Sequence, residues 1–536
     1  MRSVRLALVA AASWLLAAGS PVLAQDGDSV RVLAWNVWHG GREDGEEVGP
    51  RKVVDVIRSS GADLVAMQET YGSGERIAEA LGYEFHPRGT NVSIHSRYPV
   101  VEDISVHEEF QCAGALVELP DGDHVAFYSI WLPYSAEIWA AGTRDTDDTE
   151  AMRAACEASR VSLEAIWTAI EERLSDERYA GVPIVVAGDF NSMSHLDYGA
   201  VGFDQYHAVV DWPTSHVLSR AGFRDAYREC NPVIDRVADS TWTPRFPEQE
   251  QDRIDFVHYR ARDWRATAAT VIREHPEGFP SDHAAVVATL TRTPPPAGDA
   301  LSLRVVSYNV CHGRGGDDVL DLDRTADVLA RLRPDVVGLQ EVDLRVARSG
   351  GVNQALSLAG RLSLHPAFGS FMEYQGGLYG MGILSRHPIV DVRSLRLPGG
   401  QEPRIALIAD VRLPDDSLLG VVNVHFDWIA DDTDRFAQAN ALAEHLRTFE
   451  HPYVLLGDFN DGPDSRTLAC FRELASEVDK PLDASFTIPA QAPRKELDYV
   501  FVAPSERWRP ASAAVVDAPL ASDHLPVLAI LELLVR

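Results

Sequence analysis

The sequence predicts two tandem α/β (α+β) domains, each a four-layer sandwich in which two packed β-sheets are flanked by helices. Three observations support this prediction. The chain has 536 residues, which is too long for a single hydrophobic core. A series of short motifs occurs twice in the same order. Most of these motifs follow a short apolar run that is typical of a strand buried on both faces, so polar residues should converge at one rim.

The first residues have the layout of a secretory signal. Arg2 and Arg5 precede an apolar run, and Val22-Leu23-Ala24 supplies small residues where a signal peptidase reads. The run is too short to span a bilayer comfortably, and no later segment approaches that length. We therefore expect residues 1–24 to be a signal peptide. The mature protein should be secreted or periplasmic, without a transmembrane segment.

The repeat begins directly after this segment. Residues 30–39 read VRVLAWNVWH, and residues 303–312 read LRVVSYNVCH. DLVAMQE, SRYPV, PIVVAGDFN, RIDFV and SDH follow in the first half, and DVVGLQE, SRHPI, PYVLLGDFN, ELDYV and SDH in the second. Three consecutive prolines from position 294 separate the halves and form a stiff linker. We expect a signal peptide at residues 1–24 and a first domain at residues 29–292. A Pro-rich linker at residues 293–301 should then lead to a second domain at residues 302–535.

Charge is the extreme property of this chain. It contains 49 basic and 80 acidic residues, which gives a formal net charge of −31. Such an acidic surface repels phosphate backbones and lacks the basic footprint that nucleic-acid affinity needs. The composition therefore disfavours a tight nuclease, although a divalent cation could still draw a phosphate into a local site.

The cysteines carry little information by themselves. There are five, an odd number, and none of them forms a CxxC pair that would indicate a metal site. Export would permit disulfides, and a Cys112–Cys156 bridge is open, but no spacing demands it. We interpret the cysteines as mostly structural.

The polar residues at the predicted strand ends form a candidate site in the second half: Asn309, Glu341, His425, Asp458, Asn460, Asp498, Asp523 and His524. Carboxylates and amides without cysteine make a hard, oxygen-rich set that suits Mg²⁺, with Mn²⁺ or Ca²⁺ as alternatives. A bound cation of this kind polarises a phosphoryl oxygen and offsets charge in the transition state.

The remaining side chains suggest roles in hydrolysis. Asp458 could orient and deprotonate the attacking water, and Asn460 could donate to a phosphate oxygen. His524 needs a carboxylate to fix its tautomer, and Asp498 is the candidate. His425 remains as a second residue that could transfer a proton near the leaving group.

Each motif also has a structural interpretation. A single Gly-Asp-Phe-Asn is more often a turn than a catalytic base, and Ser-Asp-His can be a helix cap. The ordered set, present twice, favours the functional interpretation.

This ordered set resembles the endonuclease/exonuclease/phosphatase superfamily, which includes deoxyribonucleases, AP endonucleases, inositol polyphosphate 5-phosphatases and neutral sphingomyelinases. The resemblance covers nearly the whole mature chain, once per half. It implies that Glu341 and Asn309 sit at the metal with Asp523 close by, and that Asp458 activates water. It also implies that Asn460 and His524 hold the phosphate while Asp498 orients His524. Applied to the first half, the same resemblance implies that the metal residues are Asn36, Glu69 and Asp282. It implies that the catalytic residues there are Asp189, Asn191, Asp255 and His283.

The halves differ at one position of the alignment. Residues 128–134 and 422–428 align so that Trp131 stands opposite His425. An indole cannot shuttle a proton, because it has only a donor N–H. The first domain could therefore be slow, act on better leaving groups, or serve as a phosphate- or metal-binding module. AP endonucleases have an aromatic residue here and remain active.

The leading hypothesis is an exported Mg²⁺-dependent hydrolase of small-molecule or lipid phosphoesters, either monoesters or diesters. The alternatives are an extracellular nuclease acting on DNA or RNA, and a first domain without catalytic activity. A sphingomyelinase-like activity would need exposed aromatic residues that meet a membrane. Trp428-Ile429 and the segment from Tyr134 to Trp139 are the candidates, and loop packing is the alternative for both.

Overall fold

The structure is a computed structural model that describes residues 28–140, 142–294, 298–509 and 512–535. The predicted signal peptide, residues 1–24, lies outside the described residues, and so do residues 295–297 of the predicted linker. In the described parts of the chain, no helix combines the length and apolar character needed to cross a bilayer.

Two six-stranded sheets form the first half. Their strands are β1 (Ser29–Asn36), β2 (Leu64–Gln68), β3 (Glu84–Arg88), β4 (Val92–Ser96), β5 (Val100–Asp103), β6 (Cys112–Glu118), β7 (His124–Trp131), β8 (Ile184–Asp189), β9 (Arg224–Asp225), β10 (Asp255–Arg260), β11 (Trp264–Ile272) and β12 (Ala285–Arg292). The strand orders are β11-β12-β1-β2-β4-β3 and β5-β6-β7-β8-β10-β9.

The second half repeats this arrangement. Its strands are β13 (Ala300–Asn309), β14 (Val336–Leu344), β15 (His365–Tyr374), β16 (Gly377–Ser385), β17 (Ile389–Leu397), β18 (Arg404–Arg412), β19 (Leu418–His425), β20 (Tyr453–Asp458), β21 (Ser476–Glu477), β22 (Asp498–Ala503), β23 (Ser512–Val515) and β24 (Val527–Leu534). The strand orders are β15-β16-β14-β13-β24-β23 and β17-β18-β19-β20-β22-β21.

Helices connect the strands. They are α1 (Trp38–Gly41), α2 (Val48–Ser60), α3 (Gly74–Leu81), α4 (Thr149–Ala155), α5 (Glu157–Arg173), α6 (Phe203–Tyr206), α7 (Pro213–Arg220), α8 (Ala226–Cys230), α9 (Arg236–Asp239), α10 (Leu322–Leu332), α11 (Gln354–Leu362), α12 (Thr433–Leu446) and α13 (Arg466–Arg472). The helical periodicity over residues 149–174 thus corresponds to two helices, α4 and α5, which meet at Cys156.

Neighbouring residues of one strand show the layering in the first domain. Val32 faces the space between the sheets together with Phe127, whereas Leu33 packs against Val53 of α2. On the second sheet, Tyr128 belongs to the cluster that includes α5. Because alternate residues of a strand point to opposite faces, both faces are buried, and the apolar runs need no polar alternation.

The second domain is layered in the same way. Val305 lies in the core between its sheets, and Val306 packs in the outer cluster with Leu329 of α10. Val422 packs on the other outer face with Leu442 of α12. The predicted fold class is therefore confirmed: each domain has two sheets between helices.

The two domains also contact each other directly. The Nδ2 of Asn353 donates hydrogen bonds to the carbonyl oxygen of Val201 and to Oδ1 of Asp204, both at 2.9 Å. The Nε of Arg224 donates to Oδ1 of Asp416 at 3.1 Å. Buried polar contacts of this kind fix the relative position of the domains, which the sequence did not indicate.

Candidate active site

Register brings three candidate residues of the second domain into one row. His425 ends β19 and pairs with Asp458, the last residue of β20. Asp458 in turn pairs with Asp498, the first residue of β22. All three residues are at least 96% buried. Because the side chains of paired residues point to the same face of a sheet, this row forms one wall of the site.

Asn309 connects this wall to the other sheet. Its Nδ2 lies 3.1 Å from Oδ2 of Asp458 and 3.1 Å from Oε1 of Glu341, so the amide donates to both carboxylates. Asn309 is the last residue of β13, and the neighbouring strand β14 carries Glu341. The amide therefore fixes the separation of the two carboxylates that the sequence assigned to different roles.

Left-handed backbone conformations orient the side chains of Glu341 and Asn460. Glu341 has a φ of 57° and occupies the bulge where the pairing of β14 with β16 shifts by one residue. Asn460, with a φ of 52°, donates from its backbone N–H to Oδ1 of Asp458 at 2.9 Å and from Nδ2 to the carbonyl oxygen of Phe426 at 3.0 Å. Bulges and left-handed residues re-aim side chains, and they cluster at functional sites.

His524 and His425 have opposite charge states. Burial lowers the pKa of His524, but Asp498 and Asp458 outweigh it and raise this pKa to about 10. The Nδ1 of His524 lies 2.9 Å from Oδ2 of Asp498, and its Nε2 lies 3.6 Å from Oδ2 of Asp458. Burial and the guanidinium of Arg404 lower the pKa of His425 to about 3. The site thus contains one imidazolium and one neutral imidazole.

The same surroundings shift the pKa values of Asp458 and Glu341 in opposite directions. Burial raises the pKa of Asp458, and the charge of Asp498 adds to this rise against the opposing effect of His524. Burial also acts on Glu341, but hydrogen bonding by His312 and Asn309 and the charges of the histidines hold its pKa below the usual range. Glu341 is therefore an anion, as a cation ligand must be.

The first domain has the same core geometry. The Nδ2 of Asn36 donates to Oε1 of Glu69 at 3.2 Å and to Oδ2 of Asp189 at 3.1 Å. The backbone N–H of Asn191 donates to Oδ1 of Asp189 at 3.0 Å. Glu69 and Asn191 have φ values of 54° and 45°, which repeat those of their counterparts.

The histidine–aspartate pair and the last acidic residue are also repeated. The Nδ1 of His283 lies 2.9 Å from Oδ2 of Asp255. Burial lowers the pKa of His283, but Asp255 and Asp189 outweigh it and raise this pKa to about 10. Burial and the charge of Glu69 raise the pKa of Asp282 to about 6 against the effect of His283. In the second domain, Asp523 accepts a hydrogen bond from Ser522 and lies beside Cys311.

The predicted difference between the domains is visible in the register. Trp131 ends β7 and pairs with Asp189, as His425 pairs with Asp458. Its ring packs edge-on against Phe110, with 5.4 Å between the ring centroids. A bulky apolar ring therefore stands where the second domain has an imidazole.

The donor set fits a divalent cation. In the parts of the chain that the structure describes, no lysine or arginine pairs with the site carboxylates of either domain, which are Glu69, Asp189, Asp255, Asp282, Glu341, Asp458, Asp498 and Asp523. In the second domain Glu341 and Asn309 would hold the ion, with Asp523 nearby. Asp458, Asp498 and His524 are also close enough to share an ion. There, however, the imidazolium of His524 already offsets the carboxylates.

Two further groups near the sites were not assigned from the sequence. Cys311 and His312 lie beside Glu341, with ligand atoms within 4.8 Å of one another. The only available signal was the histidine that ends both VRVLAWNVWH and LRVVSYNVCH. In the first domain, Trp242 packs edge-on against His283 with centroids 5.0 Å apart.

The other sequence-based interpretations can be compared with the structure. All five cysteines are free, and Cys112 and Cys156 are buried without forming a bridge. Of the two candidate membrane segments, Trp139 is 3% exposed and packs in a core, whereas Tyr134 is 47% and Trp428 61% exposed.

Comparison with known proteins identifies the family. The profile of the endonuclease/exonuclease/phosphatase family matches residues 33–283 and again residues 306–524. The two sandwiches and their repeated acidic sites are thus two copies of one family domain. The chain belongs to the endonuclease/exonuclease/phosphatase family, whose members are generally phosphoester hydrolases that use a divalent metal ion.

Several relatives are similar over part of the chain. An uncharacterized protein of Caenorhabditis elegans is 27% identical over 292 residues, which are 49% of this chain and 92% of that protein. A UPF0294 protein of Vibrio cholerae is 34% identical over 133 residues, 24% of this chain and 44% of its own length. The matched region therefore spans less than half of the Vibrio protein.

Among solved structures, a similar one is an endonuclease/exonuclease/phosphatase from Beutenbergia cavernae, with 26% identity and a TM-score of 0.37. The match covers 43% of this chain and 72% of that chain. A mannosyl-6-phosphatase from Bacteroides thetaiotaomicron is 20% identical with a TM-score of 0.36, over 43% of this chain and 99% of its own.

Proposed function

We propose that the protein is an exported Mg²⁺-dependent phosphoester hydrolase in which the second domain is the main catalyst. The arrangement around Asp458 carries this proposal. Its Oδ2 accepts a hydrogen bond from Asn309 at 3.1 Å and lies 3.6 Å from Nε2 of His524. Its Oδ1 accepts from the backbone of Asn460. A carboxylate fixed on both oxygens is suited to orient a water and take its proton.

The other residues receive roles from their positions. The imidazolium of His524 and the amide of Asn460 would hold the phosphate, and Asp498 would keep His524 charged and oriented. A divalent ion at Glu341 and Asn309, with Asp523 nearby, would polarise a phosphoryl oxygen and offset the developing negative charge. His425 would serve the leaving group, because its Nε2 lies 3.7 Å from Oδ2 of the water-activating Asp458 and is not held by a hydrogen bond at that distance.

Charge and exposed surface favour small or lipid phosphoesters over nucleic acids. The net charge is −31, and among the described residues no lysine or arginine forms an ion pair with the site carboxylates. Loops at the strand ends of the second domain expose Trp428, Leu482 and Leu520, which are 61%, 98% and 52% exposed. Trp428 and Leu520 each lie three residues along the chain from a site residue, His425 and Asp523, and exposed apolar side chains there would suit an amphipathic substrate.

Two points of this proposal rest on the sequence alone. Export rests on Arg2, Arg5 and the apolar run that ends at Ala24. The preference for Mg²⁺ rests on the sparse oxygen ligands of each site. For the first domain we propose slow hydrolysis or binding of a phosphorylated ligand, because Trp131 replaces His425.

Hydrolysis of bis-p-nitrophenyl phosphate with Mg²⁺ tests the proposal. Asp458→Ala should lower the rate by about 10²–10⁴-fold, and Asp189→Ala should have a smaller effect. EDTA and the double variant should abolish nitrophenol release. Asp327→Ala, which removes an exposed carboxylate on α10, is the matched control and should leave the rate unchanged. Undiminished activity of the double variant would overturn the assignment.

A substrate panel separates the alternatives. Release of phosphate or head group from small and lipid phosphoesters, with plasmid DNA left intact, supports the proposal. Metal-dependent cleavage of the plasmid at comparable rates would instead establish the nuclease alternative.

A further inference from the structure

Aromatic side chains are concentrated around the site of the first domain, whereas the second domain has polar or aliphatic side chains at most of the equivalent positions. The two repeats share their strand register and their site motifs, so these positions can be matched directly. The matched pairs are Trp38 and Cys311, Tyr71 and Asp343, Phe110 and Arg404, Trp131 and His425, and Trp242 and Ile488.

Trp131 and Phe110 form an aromatic wall beside the central aspartate. Trp131 is half-buried and pairs in register with Asp189, and the ring of Phe110 packs edge-on against it. In the second domain, Arg404 stands where the first has Phe110. Arg404 is buried, and its charge adds to burial in lowering the pKa of His425. An aromatic pair in one domain therefore replaces a polar pair in the other.

Tyr134 lies close to this wall at the surface. The backbone N–H of Leu132 donates to the carbonyl oxygen of Asp189 at 2.9 Å, which holds the segment after β7 beside the site. Burial and the charges of neighbouring carboxylates, which include Asp189 and Glu69, raise the pKa of Tyr134. The tyrosine therefore lies within range of both site carboxylates, and it is 47% exposed.

Further rings connect Tyr134 with the histidine of the site. The ring centroids of Tyr134 and Trp139 are 5.6 Å apart, and those of Trp139 and Trp242 are 6.4 Å apart. Trp242 in turn packs edge-on against His283, which we propose holds the phosphate. Aromatic surface thus extends from solvent to the phosphate position.

Two physical arguments identify the group that this surface would recognise. Phe110 and Tyr134 are 41% and 47% exposed, and exposed rings beside a polar site are suited to pack against a ligand ring. Trp131 also cannot donate a proton to a leaving oxygen as His425 could. A leaving group without that assistance must be stable as an anion, and a phenol, with a pKa of about 10, meets this condition better than an alkyl alcohol.

We propose that the first domain selects phosphoesters whose ester group is an aromatic ring, with that ring packed against Trp131 and Tyr134. This inference rests on the proposed function in taking Asp189 as the residue that activates water. The water oxygen bonds to phosphorus, and its proton passes to Asp189. The aryl oxide leaves with the electron pair of the broken P–O bond and takes a proton from solvent.

Calorimetric titration of the full-length chain with phenylphosphonate and cyclohexylphosphonate, with Mg²⁺ present, tests recognition without turnover. The two rings are similar in size, but only the phenyl ring is flat and aromatic. We expect the wild-type chain to bind phenylphosphonate about tenfold more tightly. Trp131→Leu should remove this preference, and so should Tyr134→Leu, which changes an exposed residue and should leave the fold intact.

Phe486→Leu is the matched control, because it removes an exposed ring of the second domain, and it should keep the preference. Equal affinity of the wild-type chain for the two phosphonates would overturn the inference. A preference that persists in both Trp131→Leu and Tyr134→Leu would overturn it as well.

The hydrolysis that remains in Asp458→Ala provides a second measurement on the first domain. It should be about tenfold faster on a phenyl ester than on a fluorinated alkyl ester whose alcohol is as acidic as phenol. Equal rates would overturn the inference and leave the proposed function of the second domain intact. Where no rate remains, the phosphonate titration decides the inference by itself. Failure of the proposed function would appear differently, as undiminished hydrolysis in the Asp458→Ala/Asp189→Ala double variant.

Discussion

Trp131 and His425 occupy the same position in the two domains: each ends a strand and pairs in register with the central aspartate of its domain, Asp189 or Asp458. The Nε2 of His425 lies 3.7 Å from Oδ2 of Asp458, whereas the ring of Trp131 packs against Phe110. The repeat therefore conserves the backbone of this position while exchanging an imidazole for an indole.

Replacing this imidazole should cost the second domain its assistance to the leaving group. In an Asp189→Ala background, His425→Trp should lower kcat/KM by about 10²–10⁴-fold on an alkyl phosphoester. The loss should be much smaller on a nitrophenyl ester, because nitrophenolate leaves without protonation. Steady-state kinetics with both substrates measures the difference. An equal loss on both esters would contradict a role at the leaving group.

Asp498 should control the pH dependence of the second domain. Asp498 raises the pKa of His524, so the imidazolium persists through neutral pH in the wild-type protein. Asp498→Asn removes that charge and lowers the pKa of His524, so the positive charge is lost as pH rises. The rate of the variant should therefore fall between about pH 6 and 8, where an unperturbed histidine titrates. A flat pH–rate profile of the Asp498→Asn variant across this range would argue against the proposal that Asp498 keeps His524 charged.

Metal binding should stabilise the folded protein. A ligand present at 100 times its Kd adds about 2.7 kcal/mol to the free energy of unfolding, so saturating Mg²⁺ should raise Tm and EDTA should reverse the rise. Glu69→Gln should reduce the response to Mg²⁺, because it removes the anionic ligand of the first domain. Glu79→Gln changes an exposed residue of α3 and should respond like the wild type. Thermal melts with and without Mg²⁺ provide the comparison.

His95 should make the first domain sensitive to acid. This histidine is fully buried in β4, and burial lowers its pKa to about 3. Because its pKa is about 6.5 in the unfolded chain, lowering the pH from 7 to 5 protonates the unfolded state alone. The neutral state of His95 therefore stabilises the folded protein at pH 7. The free energy of unfolding should fall by about 2 kcal/mol from this cause as the pH is lowered from 7 to 5.

A neutral substitute isolates this contribution. His95→Gln removes the titrating group, so the variant should lose less stability than the wild type between pH 7 and 5, even if it is less stable at both. Urea unfolding at the two pH values measures the difference. Parallel losses in the two proteins would mean that His95 is not the sensitive group.

The sequence by itself determined the fold class and selected the candidate site residues. Short apolar runs such as the one around Val32 and Leu33 are typical of interior strands, and their repetition predicted two sandwiches. Asp189 and Asp458 could be selected because Gly-Asp-Phe-Asn recurs after the same kind of run. The replacement of His425 by Trp131 could also be predicted from the sequence, because aligning the two repeats places these residues opposite each other.

Only the tertiary structure decided which groups meet. Cys311 and His312 lie beside Glu341, which is distant in sequence and becomes adjacent only through the parallel pairing of β13 and β14. The surroundings of the two equivalent histidines differ as well: Nδ1 of His39 lies 2.7 Å from Oε1 of Glu43 at the surface, whereas Nδ1 of His312 lies 3.9 Å from Oε2 of Glu341. Local sequence fixes burial and periodicity, but contacts between side chains depend on where separate strands end in space.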